Sequence, residues 1–120
     1  MENYQTRIKV RKEGAITVVE LLNEEILDES TISDIADSLF GVVEENSPIQ
    51  MVLSFRKVKH LSSMALGTLI RLNKRVEERG GWLKLCDIRA SLYEIFVITK
   101  LNKLFEIYDS EETALNSFAD

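Results

Sequence analysis

Met51-Val52-Leu53-Ser54-Phe55-Arg56-Lys57-Val58-Lys59-His60-Leu61-Ser62-Ser63-Met64-Ala65-Leu66-Gly67-Thr68-Leu69 is the stretch whose reading decides the fold. Met51 to Phe55 is a short apolar run with the length of a buried strand. Lys57 to Ser63 is polar and reads as a loop. From Ser63 the apolar residues return with a period of about 3.6. Ala65, Leu66, Leu69, Ile70, Leu72 and Val76 then share one helix face. Gly80-Gly81 closes this helix, because glycines past a C-terminus accept positive φ. Trp82 to Cys86 is the next apolar strand. A strand, a helix and a strand in this order predict parallel pairing through a right-handed crossover.

The flanking segments extend the pattern. Toward the N-terminus, Thr6 to Arg11 alternates, with Ile8 and Val10 on one face, and reads as a strand. Glu13-Gly14 turns it into Ala15 to Leu22, the second strand of a hairpin. Thr31-Ile32-Ser33-Asp34 has the form of a capping box. Ile32, Ile35, Ala36, Leu39, Val42 and Val43 follow at helical spacing until Asn46-Ser47-Pro48. Toward the C-terminus, Leu92, Ile95, Phe96 and Thr99 make a short amphipathic helix, and Phe105 to Tyr108 a last strand. Ser110 with Glu111 and Glu112 opens a final helix, its acids set against the helix dipole. The predicted order is β-β-α-β-α-β-α-β-α: an α/β fold whose mixed, mostly parallel sheet carries an N-terminal hairpin and about four helices. It is read as a single domain over residues 1–120. In such sheets the functional loops lie past the carboxyl ends of the strands, here Asn23 to Ser30 and Lys57 to Ser63.

Composition narrows the function. No apolar run approaches the ~20 residues of a membrane span, and Met1 to Lys12 lacks the apolar core of a signal peptide. One cysteine, Cys86, cannot pair within the chain, which fits a reducing compartment. The expectation is cytoplasmic, without membrane insertion. Twenty acidic residues against 15 basic give a net charge of −5, which argues against direct nucleic-acid binding. The basic stretch Arg71 to Arg79 is interrupted by Glu77 and Glu78 and reads as a solvated helix face. No phosphate-cradling glycine loop, nucleophile elbow or metal-spaced Cys/His set is present, so no catalytic residue, cofactor or metal is assigned. The acids Glu24, Glu25, Asp28 and Glu29 lack the spacing of a cation loop. His60 stands near two serines but has no orienting acid in sequence, which argues against an enzyme. Cys86, in an apolar strand, reads as a small buried hydrophobe.

Ser62-Ser63 is the informative pair. A serine at a helix start is ordinarily an N-cap. The same position suits a phosphate, since free N–H groups and the positive dipole end stabilise added negative charge. At about 100° per residue, Ser63, Met64, Gly67, Arg71 and Lys74 lie opposite the core stripe. An exposed Met adapts to a partner surface, and Gly lets another backbone approach.

At these residues the sequence resembles STAS domains of the anti-sigma factor antagonist type. There a buried strand runs, as Met51 to Phe55 and Val58 do, into a phosphorylatable hydroxyl and a small-Leu-Gly helix start, here Ala65-Leu66-Gly67. The resemblance extends through Gly80 to Cys86, through Val97 to Phe105, and to Leu27-Asp28. It implies a phosphoprotein that binds an anti-sigma serine kinase, frees a sigma factor and so regulates transcription. Phosphorylation ejects it and a phosphatase resets it. The family's phosphoserine aligns with Ser63. Its partner contacts align near Asp28, Ser62, Ser63, Met64 and Gly67, and Arg71 adds charge on the same face. The family usually has Asp where Ser62 stands, a second hydroxyl residue where Met64 stands, and Gly where Ala65 stands. The alternative within the resemblance is an unphosphorylated scaffold, or a soluble subunit of a transport or sensory assembly. The expected state is a monomer or weak dimer.

Overall fold

The computed structural model describes residues 7–118. Strands β1 (Ile8–Glu13) and β2 (Ile16–Leu21) form an antiparallel hairpin, paired from Ile8 with Leu21 to Glu13 with Ile16. Gly14, at φ +63°, makes the tight turn between them. Then come β3 (Glu25–Ile26), α1 (Glu29–Glu45), β4 (Gln50–Ser54), β5 (His60–Leu61) and α2 (Ser63–Glu78). The chain continues through β6 (Trp82–Cys86), α3 (Ala90–Ile98), β7 (Glu106–Tyr108) and α4 (Glu111–Asn116). The main sheet has the order β1-β2-β4-β6-β7, with every pair after the hairpin parallel. This is the mixed, mostly parallel α/β sheet that the sequence predicts.

Alternation along the strands sorts the core into two layers. Val19, Leu21, Met51, Leu53, Leu83 and Leu85 face α1, α2 and α3, and join Ile35, Leu39, Leu69, Leu72 and Phe96 there. Val18, Val52 and Cys86 face the other way, onto Ala114 of α4. Strand β4 is covered on both faces, which is why it reads as an unbroken apolar run. Burying one Leu or Val of this core is worth roughly 1.5–3 kcal/mol. Phe96 sits edge-on to both Phe55 and Phe105, at centroid distances of 6.4 and 6.1 Å, and ties α3 to the sheet.

The structure corrects the sequence reading at several points. Helix α1 starts three residues earlier than a capping box at Thr31 to Asp34 implies. Its N-cap is Asp28, whose carboxylate accepts the Thr31 N–H at 3.1 Å, and Thr31 is itself buried. The first strand is Ile8–Glu13, and the predicted start at Thr6 lies outside the described residues. Ile70 is 39% exposed rather than core, because the buried stripe of α2 continues through Thr68, Leu72 and Asn73. Of the paired glycines only Gly80 has positive φ, at +77°. Gly81 is required for a different reason: a Cβ there would collide with the Ile49 backbone, its carbonyl oxygen above all.

Candidate functional site

The two loops singled out in the sequence are stitched together past the carboxyl end of β4. Glu25 pairs with His60 and Ile26 with Leu61, making β3 and β5 a small parallel sheet. The Glu24 carbonyl accepts N–H bonds from Lys59 at 2.7 Å and His60 at 3.1 Å, and the Ile26 carbonyl accepts that of Ser62 at 3.1 Å. Asp28 follows two residues after β3 and Ser62 one residue after β5. The starts of α1 and α2 are thereby held in fixed relation by main-chain bonds. Apolar side chains from both loops, Ile26 and Leu61, sit over Leu21, Phe55 and Leu69.

Ser62 is the N-cap of α2. Its backbone is extended (φ −90°, ψ 167°) and its Oγ accepts the Ala65 N–H at 3.2 Å. Ser63 is therefore the first helical residue. It is exposed, and its hydroxyl has no partner among the described residues. The Leu66 N–H bonds to the Ser62 carbonyl, and the N–H groups of Ser63 and Met64, ahead of that first helical bond, have no partner among the described residues. No acid stands in the first turn of α2, whereas Glu29 opens α1 and Glu111 and Glu112 open α4. The positive end of the α2 dipole is thus uncompensated.

The outward face of α2 follows. Met64 is 53% exposed. A Cβ added to Gly67 would meet only the Arg71 guanidinium, at 4.0 Å, so nothing inside the fold requires glycine there. Arg71 donates to Thr68 Oγ1 at 3.2 Å, which lays its charge back along this face. Asp28 is exposed at the edge of the same surface. Bonds from the Thr31 side chain and N–H and from the Ser30 hydroxyl hold its carboxyl down at about 2. All six predicted site residues, Asp28, Ser62, Ser63, Met64, Gly67 and Arg71, thus lie on the two joined loops or the outer face of α2. Sequence reasoning missed the capping role of Asp28 and the β3–β5 pairing. The spacing Asp28 to Thr31 was the available signal for the first, while strands of two residues leave no periodicity to read.

His60 is exposed on β5 and bonds to neither serine. Cys86 is buried, and burial first and then Asp87 push its thiol well up. Among the described residues no three His, Cys, Asp or Glu side chains gather as a metal set, and no helix is long and apolar enough to cross a membrane.

The family model for the STAS domain matches residues 7–114. This chain belongs to the STAS domain family. A curated relative, the anti-sigma F factor antagonist of Paenibacillus polymyxa, is 24% identical over 91% of this chain and 92% of its own. Among solved structures, an anti-sigma-factor antagonist (STAS) domain protein from Planctomyces limnophilus superposes with a TM-score of 0.85. It is 22% identical and covers 94% of this chain and 98% of that one. The Bacillus cell fate determinant SpoIIAA in its phosphorylated form superposes at 0.68, with 13% identity over 92% of this chain and 98% of that one. These structures share the fold of this STAS domain.

Proposed function

We propose that this STAS domain is an anti-sigma factor antagonist that works by partner switching, and that phosphorylation of Ser63 controls it. In this reading the unmodified domain binds an anti-sigma serine kinase in the cytoplasm through Asp28, Ser62, Ser63, Met64, Gly67 and Arg71. A phosphatase restores the modified form, and the domain itself catalyses nothing. The curated relative at 24% identity supports the general role.

One observation carries the site: the cap of α2 and its free hydroxyl are on different residues. Ser62 caps the helix, so a phosphate on Ser63 takes no structural hydrogen bond away. The added charge of about −1.5 to −2 meets two free N–H groups and an uncompensated dipole. Phosphorylation then rewrites the surface and leaves the helix intact. Ser62, where the family has an acid, keeps the capping oxygen and drops the charge, which lowers repulsion toward a phosphate one residue on.

Incubation with the cognate kinase and ATP, followed by fragment mass spectrometry, tests the assignment. Phosphate on Ser63 is the expected result. Phosphate on Ser62 would place the acceptor one residue off, and an unmodified protein would favour a constitutive scaffold, whether free-standing or within a transport or sensory assembly.

A further inference from the structure

Strand β1 ends the main sheet and pairs with β2 on one side only. The Arg7 carbonyl accepts the Leu22 N–H at 3.0 Å, which makes Arg7 and Leu22 a hydrogen-bonded pair. Such pairs alternate along an antiparallel ladder, so Lys9, Arg11 and Glu13 also turn their main-chain groups toward β2. Ile8, Val10 and Lys12 turn theirs outward, as an open row of donors and acceptors. An open edge of this kind is a template for another strand.

The side chains of these three residues lie on the α1 face of the sheet. Ile8 belongs to the core layer that includes Ile35 and Leu39 of α1. Lys12 Nζ donates to Thr17 Oγ1 and to Asn46 Oδ1, just past the end of α1, each at 2.9 Å. Between this edge and α1 runs an open groove of about 590 Å³, floored by Ile8 and Val10. Val10 is 43% exposed there. One stripe of α1 forms the wall. Asp34 and Asp37 stand at the Ile8 end, where Asp34 meets Arg7 at 3.5 Å. Ser38 and Gly41 occupy the middle, and Glu45 the Lys12 end. Among the described residues no other cation meets these acids. A Cβ on Gly41 would find nothing within 4 Å, although glycine inside a helix lowers stability. The fold itself does not require this gap, whereas a strand lying in the groove would fill it.

The strand whose chemistry fits is β1 itself, Ile8-Lys9-Val10-Arg11-Lys12-Glu13, which is rich in cations where the α1 stripe is acidic. We propose that two copies of this chain pair their β1 strands antiparallel across a two-fold axis, Val10 against Val10. Ile8, Val10 and Lys12 of one copy then exchange main-chain bonds with Lys12, Val10 and Ile8 of the second copy. Val10 of the second copy comes alongside Ser38 and Gly41. Lys12 of the second copy lies opposite Ile8, and so beside Asp34 and Asp37, and symmetry repeats the contact. Moving the axis one residue either way would set Lys9 against Lys9 or Arg11 against Arg11, like charges directly opposed. With Val10 on the axis, Lys9 faces Arg11 of the second copy, and each Arg11 is already paired with Glu13 and Glu111. One short strand and one helix stripe make a contact at the small end of protein interfaces, about 1,200 Å² or less, so the dimer is weak. Ser63 and the outer face of α2 take no part in it, and the inference does not depend on the switch.

The test is sedimentation velocity of the whole chain over a range of concentrations, with amide hydrogen exchange followed at each. The expected result is a monomer–dimer equilibrium in the range of about 10 µM to 1 mM. The amides of Ile8, Val10 and Lys12 should exchange more slowly as the dimer forms. Those of Lys9 and Arg11, bonded to β2 in either state, should not depend on concentration. Val10→Pro removes an outward N–H, which an edge strand tolerates, and Gly41→Gln fills the groove. Both variants should stay monomeric. At concentrations where wild type is also monomeric, Gly41→Gln should melt at or above it. Asp34→Asn combined with Asp37→Asn should weaken the dimer about tenfold. A monomer at every concentration would overturn the proposal. So would a dimer that leaves the three edge amides unprotected, or one that survives both blocking variants. Edge protection that appears only on adding the peptide acetyl-Lys-Val-Lys-Val-Lys-amide would give the groove another occupant and overturn it too.

Discussion

Asp28 shows how one side chain can serve both fold and surface. Its carboxylate caps α1 and is held near 2, below its ordinary value of 3.8, by the Thr31 and Ser30 bonds. A depressed carboxyl stabilises the folded state fully above its unfolded value and loses that contribution as pH falls toward the folded one. Asp28→Ala should therefore melt below wild type at neutral pH, with the gap closing between about pH 4 and pH 2. A gap that stays constant across that range, followed by circular dichroism, would remove the cap from the account. Gly67 makes the opposite case. A helix-interior glycine whose Cβ would meet nothing rigid lowers stability, so Gly67→Ala should gain up to about 1 kcal/mol in urea unfolding. The same methyl group should weaken partner binding if another backbone approaches there. A gain in stability with unchanged affinity would take Gly67 out of the interface. Cys86 should resist thiol reagents in the native state and react only on unfolding, as its burial and raised thiol value require.

At the scale of the element, α2 links core to surface. Leu72 is fully buried and Ile70 is not, although both belong to the apolar stripe that the sequence suggests. Leu72→Ala should cost about 2–5 kcal/mol through lost burial and a cavity. Ile70→Ala should stay within about 0.5 kcal/mol, as exposed changes do. Similar losses for both in denaturant melts would contradict the observed helix rotation. Strand β4 was legible because burial on both faces leaves an apolar run, β6 because Leu83, Leu85 and Cys86 still dominate around the single Lys84, and α4 because Ser110 and its acids mark a start. The cap at Asp28 was harder to see, since Thr31 to Asp34 offers a competing signal of the same form. The bridge between β3 and β5 has no local signature, because main-chain bonds between distant loops depend on neither residue type nor period. The exposure of Ser63, Met64 and Arg71 was readable, since helical projection needs only the register of α2, whereas Asp28 and Ser62 entered as contacts through the family resemblance alone. What that projection could not give was the division of labour between Ser62 and Ser63, which depends on where the helix begins.

At the scale of the whole molecule, the β3–β5 bridge, the two helix caps and the outer face of α2 lie together at one end of the five-stranded sheet. That end is held by main-chain bonds, and a switch built on added charge needs a surface that does not yield. Phosphorylated Ser63 should shift domain stability by no more than about 1 kcal/mol, the scale of a charge at a helix end. A partner that buries the same phosphate without a counter-charge loses several kcal/mol, and about 1.4 kcal/mol is a factor of ten in affinity. The most direct measurement is calorimetric titration of the cognate kinase with three forms of the domain, namely unmodified, phosphorylated on Ser63 and Ser63→Ala, each paired with a thermal melt. The account predicts equal, tight binding by the unmodified and Ser63→Ala forms, binding weaker by about a hundredfold or more for the phosphorylated form, and closely similar melting temperatures for all three. Equal affinities across the three forms, or a large melting shift on phosphorylation, would contradict it.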